Sequence, residues 1–240
     1  MSTKTFNKEN LDNILKELAK EYKKLVGKNM PAEIVLIGGA AVIENYGFRD
    51  MTTDIDALVS AASAMKDAIN NVGERLELPR GWLNDDFKKT DSYSPKLSEV
   101  SKYYKSFYGV LNVRTVSAEY LVAMKLKSGR KYKNDLSDIV GILSEQKKNG
   151  AELGKAQIYS AIAELYGSAD NIPKDSKTFI DNLLISKNYE AVYEEIRNNE
   201  KDAKDILIEF EERYPDRLKT DNVDNILKTL KAKKQAEKDK

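Results

Sequence analysis

The chain contains no cysteine and no histidine. Without them the usual zinc sites cannot be built, nor can a Ser-His-Asp or Cys-His nucleophile pair. Acid or base chemistry falls to Asp, Glu, Lys or Tyr, and any metal must be a hard ion held by oxygen, such as magnesium or manganese. The longest apolar or glycine run, Ile34 to Ile43, is far shorter than the roughly 20 residues of a membrane helix, so no membrane partner is expected. MSTKTFNKEN at the start has no apolar leader, and with cysteine absent this points to a cytoplasmic protein. A one-signed charge excess is missing too: 40 basic residues face 39 acidic ones. A nucleic-acid partner would therefore need a local basic patch.

What is present reads as a globular chain of 240 residues, 41% hydrophobic and 33% charged, long enough to bury a proper core. Leu11, Ile14, Leu15, Leu18 and Leu25 recur near helical spacing over residues 7–26, which predicts an amphipathic helix stopped near Gly27. EIVLI (33–37) reads as a strand ended by Gly38-Gly39, AAVIENYG as a helix, DIDALV (54–59) as a second strand and residues 61–75 as a helix. Residues 101–117 predict two strands around a turn at Gly109, followed by helices in 117–131 and 135–150. From about 151 onward every pattern is helical, including separate helices at YEAVYEEIRNN and DAKDILIEFEERYP. The expected fold class is α/β (α+β): a mixed sheet with flanking helices in residues 1–148, then an all-helical region in 149–240.

Chemistry concentrates in IVLIGGAAVIENYGFRDMTTDIDALVS, residues 34–60. A strand ending in Gly-Gly and leading into a helix lets backbone N–H groups approach a phosphate at the positive end of the helix dipole. On the next strand Asp54 and Asp56 are two apart, so they share a face. Paired carboxylates repel, and a divalent cation between them relieves the repulsion. The cradle and the pair together suit a magnesium nucleotide. The competing readings are an ordinary tight turn for the glycines and a solvated edge strand for the carboxylates.

Lys125 sits in YLVAMKL, apolar on every side, and either snorkels to the surface or is buried against Asp54, Asp56, Asp135 or a phosphate. Asp135 and Asp138 either join the site or simply stabilise a helix start. Arg49 is a loop residue or a contact to a phosphate or carboxylate. The basic stretch KLKSGRKYK (125–133) suits a triphosphate or RNA backbone, with a solvated helix end as its competitor. In YYKSFY (103–108) core packing of the sheet is favoured over base stacking.

A glycine pair after a strand, a spacer with an arginine, Asp-x-Asp, a lysine on a later helix and then Asp-x-x-Asp occur here as Gly38-Gly39, Arg49, Asp54-Ile55-Asp56, Lys125 and Asp135-x-x-Asp138. This ordered set resembles the DNA polymerase beta-like nucleotidyltransferase superfamily, over about residues 30–145. It is most similar to the abortive-infection, AbiEii-type toxin branch and related uncharacterised bacterial proteins. The resemblance implies transfer of a nucleotidyl group from an NTP to a hydroxyl on RNA, tRNA among the candidates, or on a protein, with a toxin role and a cognate antitoxin or partner protein. It implies that Gly38, Gly39, Ala40, Arg49 and Lys125 face the nucleotide and that Asp54 and Asp56 hold magnesium or manganese. Lys125 and Asp135 complete the catalytic set. Two departures stand out. Ala40 replaces a frequent Ser or Thr, and the later strand GVLNVRTVS offers Asn112 where the superfamily has a third metal-binding acid, leaving Asp85, Asp86 or Asp135 as substitutes. These departures support a second reading, a catalytically idle binding module in a toxin-antitoxin or regulatory pair. An RNA-binding protein without chemistry is a third.

Overall fold

The computed structural model describes residues 4–219 and 221–238. Asn7 opens the first helix by exchanging side-chain and backbone hydrogen bonds with Asn10, and Gly27 closes it at φ 75°. This helix, α1 (Lys8–Val26), buries Leu11, Ile14, Leu15 and Leu18, while Leu25 stays exposed. The chain then alternates through β1 (Ala32–Leu36), α2 (Gly38–Asn45), β2 (Ile55–Ser60), α3 (Ala64–Arg75) and the two-residue β3 (Leu83–Asn84). After β4 (Ser101–Phe107) and β5 (Leu111–Val116) the described residues form no further strand, and the helices α4 (Ala118–Ser128), α5 (Asp135–Lys148), α6 (Lys155–Tyr166), α7 (Lys174–Ser186), α8 (Tyr189–Arg213) and α9 (Val223–Lys238) follow. None of the described helices is long and apolar enough to cross a membrane.

The five strands form one mixed sheet in the order β3-β2-β1-β5-β4. β1 pairs antiparallel with β2 and parallel with β5, so the ends of β1 and β5 and the start of β2 lie along one edge of the sheet. β1 is central, and Ile34, Val35 and Leu36 are all buried, as expected where both faces of a strand are covered. α1 packs on α3, α4 packs against α5, α6 and α7, and α5 packs against α8. The apolar core runs without a break from the sheet into α6 and α7, across the loop that follows Lys148. A second, smaller cluster joins Ala203, Ile206 and Leu207 of α8 to Val223 and Leu227 of α9.

Three expectations are corrected. The helices read separately at 189–199 and 202–215 are one continuous helix, α8, because the polar NNEKD between them (198–202) contains no Pro or Gly to end it. YYKSFY is not core packing apart from Phe107 and the half-buried Tyr104: Tyr103 is 63% exposed and Tyr108 43%. β4 is one of the two edge strands and is irregular between Tyr103 and Lys105, which turns these side chains outward. Asn112 pairs with Glu33, near the start of β1 and at the opposite end of that strand from Gly38.

Candidate active site

The site is assembled where β1 ends. After Ile37, Gly38 lies in the left-handed region at φ 57°, and a side chain there would meet Asp56 Oδ2 at 3.2 Å. Only glycine combines that backbone with that approach. At Gly39 a Cβ would lie 2.6 Å from Thr52 Oγ1 and 2.8 Å from Arg49 Nη2. The glycine pair thus opens room for the loop carrying Arg49 and Thr52 to close over the start of α2. That loop is pinned from outside by reciprocal backbone hydrogen bonds between Phe6 and Thr52, both 2.8 Å. Among the described residues no side chain caps the N-terminus of α2, so its first-turn N–H groups remain available to an anion. Ala40 is fully buried and lines neither of the cavities described below.

Asp54 immediately precedes β2 and Asp56 is its second residue. β2 lies between β1 and β3, so the pair is not on an edge strand. Burial, and then the Asp54 charge, push the Asp56 carboxyl above its ordinary pKa, while Lys133, Arg130 and Lys125 pull it partly back. A carboxylate in this state gains from a hard cation. Among the described residues, however, no group of three or more acidic side chains converges on a metal-sized point. The pair suits an ion whose remaining ligands are phosphate and water oxygens.

Asn84 stands beside Asp56, its partner in the parallel β2–β3 register. The Asn84 Oδ1 accepts from the Asp86 N–H at 2.9 Å and its amide donates to the Gly81 carbonyl at 3.1 Å, so it shapes the turn. Asp86, at the start of a short 3-10 turn (Asp86–Lys89), pairs with Lys89 at 2.6 Å and lines the smaller cavity. Of the three alternatives for an extra acid, Asp85 is exposed and paired with Lys88. Asp135 also lines the cavities, from the other side.

Lys125 does not snorkel. Its side chain is 8% exposed, and its Nζ lies 2.6 Å from Asp138 Oδ2 and 3.3 Å from Asp135 Oδ1. Arg49 pairs with the same Asp138 oxygen, and Arg130 forks onto Asp135 with its Nε 2.8 Å from Oδ2. Burial alone would raise the Asp135 carboxyl, but Lys125 and Arg130 outweigh it and hold it well below the usual carboxylate range. Asp135 is the first residue of α5 and Asp138 lies in its first turn, behind Asn134 as the cap. Both do more than start a helix. Asp138 joins the Arg49 loop, α4 and α5.

Sequence reasoning did not single out Glu200. It comes from α8, is almost fully buried, and its Oε1 accepts from the N–H groups of Leu136 at 2.9 Å and Ser137 at 3.4 Å. A carboxylate 64 residues away thus caps α5, and no local motif announces it.

Two cavities meet over Asp54 and Asp56. The smaller, about 230 Å³, opens toward the segment after β3, and the larger, about 800 Å³, opens toward α8 and the segment before α9. Gly38, Lys125, Arg130, Lys133 and Asp135 line both. Gly39 and Arg49 line only the larger.

Residues 13–147 match the model of the family described as "Nucleotidyltransferase of unknown function (DUF6036)". The chain belongs to this family. The part shared with the DUF6036 nucleotidyltransferases takes in α1 from residue 13 onward, the whole sheet, α4 and nearly all of α5, and with them Gly38, Gly39, Arg49, Asp54, Asp56, Lys125 and Asp135. The larger cavity's wall from α8 lies outside the match. A search of curated proteins and a search of solved structures found no match.

Proposed function

We propose that the protein transfers a nucleotidyl group from an NTP to a hydroxyl on RNA, including tRNA, or on a protein. The observation that carries this reading is the meeting of two cavities over Asp54 and Asp56, beside the uncapped start of α2. In this reading Gly38 and Gly39 bring backbone N–H groups to the triphosphate, and Lys133 neutralises it, with Arg130 adding only the part of its charge that Asp135 does not meet. A magnesium or manganese ion held by Asp54 and Asp56 would screen the phosphate charge and favour ionisation of the attacking hydroxyl.

Arg49 and Lys125 act one step back. Their charges are met by Asp138, and for Lys125 also by Asp135, so they position the glycine loop and α5 rather than bind phosphate alone. What supports an AbiEii-type branch, and with it a toxin role and an antitoxin partner, is the order of the motifs along the chain. The idle-module reading is favoured by one observation, the tethered Asn84 beside Asp56.

Calorimetric titration with each NTP, with and without magnesium, tests the site. Binding that requires the metal and is lost in Asp54→Asn/Asp56→Asn is expected. Binding indifferent to both changes would place the nucleotide elsewhere.

A further inference from the structure

The two cavities differ in ways that assign them different occupants. The larger holds Gly39 and Arg49 at the start of α2 and adds Lys204 of α8 and Lys219. It also offers apolar wall from Leu207 and Leu218. Its volume, about 800 Å³, falls within the range of roughly 300–1,000 Å³ common for small-molecule sites. A nucleoside triphosphate fits this description: anion cradle at one end, apolar surface for a base at the other.

The smaller cavity, at about 230 Å³, lies below that range. The walls it does not share come from Asn84, Asp86, Phe87, Thr90, Ser92 and Met124, with three others that are uncharged. Not one of these unshared residues is Lys or Arg, and one is acidic. Lys88 and Lys89, between the lining residues Phe87 and Thr90 in the chain, are paired with Asp85 and Asp86. Nucleic acids are held chiefly through phosphate contacts to basic groups, and this approach supplies none of its own. Thr90 Oγ1 and Ser92 Oγ lie 2.9 Å apart on one wall, with Phe87 and Met124 as apolar surface. That chemistry suits a short hydroxyl side chain.

Resting on the nucleotidyltransferase reading above, we propose that the larger cavity takes the NTP, the smaller takes the acceptor, and the acceptor is a hydroxyl side chain of a protein. The acceptor oxygen forms a bond to the α-phosphorus, and the bond from that phosphorus to the oxygen bridging to the β-phosphate breaks. Pyrophosphate leaves with the bonding electron pair, and the acceptor's proton passes to water at the cavity mouth. The product is a phosphodiester between the side chain and the nucleoside.

The experiment uses the full chain with magnesium and α-phosphate-labelled NTPs. It is offered a degenerate peptide pool containing serine, threonine and tyrosine, and separately total tRNA. NTP affinity is measured in parallel for the wild type, Thr90→Trp, Ser92→Trp and Lys204→Glu. Label on peptide and not on tRNA is expected. Thr90→Trp and Ser92→Trp, which fill the smaller cavity, should each cut transfer by about tenfold or more with NTP affinity unchanged, while Lys204→Glu should weaken NTP binding. Label on tRNA, or NTP binding without transfer to peptide, overturns the acceptor assignment and leaves the nucleotide site standing. Loss of NTP affinity in both tryptophan variants, with Lys204→Glu unaffected, reverses the two cavities. Failure of the wild type to bind any NTP removes the underlying reading and this inference with it.

Discussion

Lys125 and Asp138 form a buried ion pair, Nζ to Oδ2 at 2.6 Å, and Arg49 reaches the same oxygen from the loop ahead of β2. Three separate pieces of chain are tied at one carboxylate: α4, α5 and the loop that closes over Gly39. Removing one partner leaves a buried charge only partly compensated, since Asp138 keeps Arg49 and Lys125 keeps Asp135, and that costs more than the pair itself contributes.

Lys125→Met should therefore lower unfolding stability by about 3 kcal/mol, the lower end of what breaking a buried pair costs, because Arg49 still reaches Asp138, and Asp138→Asn by a similar amount, because Asp135 still reaches Lys125. In the double variant neither member of this pair faces a missing partner, and only Arg49 loses its carboxylate, so the combined loss should be clearly less than the sum of the two single losses. Urea denaturation of the four proteins measures this, and strict additivity would show that the two side chains act independently.

Gly141→Ala tests how the Arg49 loop is held. Phe48 lies flat enough on α5 that a Cβ at Gly141 would meet its ring at 2.4 Å. The ring is hemmed in by Tyr46 and Tyr193, and the Tyr193 hydroxyl donates to the Phe48 carbonyl at 3.3 Å. Overpacking of this kind costs about 1–3 kcal/mol. Thermal unfolding should show that loss, and Phe48→Leu in the same chain should recover part of it. A stable Gly141→Ala protein would mean that the loop moves freely.

Glu200 supplies a pH dependence. Burial, reinforced by the Asp138 charge, pushes its carboxyl up to about 7, against the N–H groups of Leu136 and Ser137 and the Ser137 side chain, which favour the ionised form. Because the folded-state pKa is above the unfolded one, its contribution is fully present below the free carboxyl range and is lost as pH rises through about 7. The loss is on the order of 3 kcal/mol at most. Stability of the wild type should fall between pH 5 and pH 8 by more than that of Glu200→Gln. Parallel profiles would exclude Glu200 as the titrating group.

What could be read from the sequence was local. Apolar alternation and glycine placement disclosed β1, the start of α2 and β2, and the isolated lysine in YLVAMKL announced a buried charge. What could not be read depended on partners far along the chain. β3 is two residues long and has no periodicity to detect, yet its register puts Asn84 beside Asp56. Asn112 stands out only because it lies on the strand where the resemblance puts a third acid, and the parallel pairing of β1 with β5 shows it at the end of that strand away from Gly38. Asp138 resembled a helix-start residue because that is also where it sits; its bond to Arg49 spans 89 residues. Glu200 is one of many glutamates in a charged helix, and its capping of α5 follows from tertiary packing alone.

The most direct test of the account is label transfer from an α-phosphate-labelled NTP in the presence of magnesium, with RNA and protein acceptors supplied and Asp54→Asn and Asp56→Asn alongside. The account predicts label on an acceptor with the wild type and none with either variant, both of which remain folded because each removes a charge from a mutually repelling pair. Transfer that persists in the variants, or no transfer by a wild-type protein that binds NTP, would contradict it.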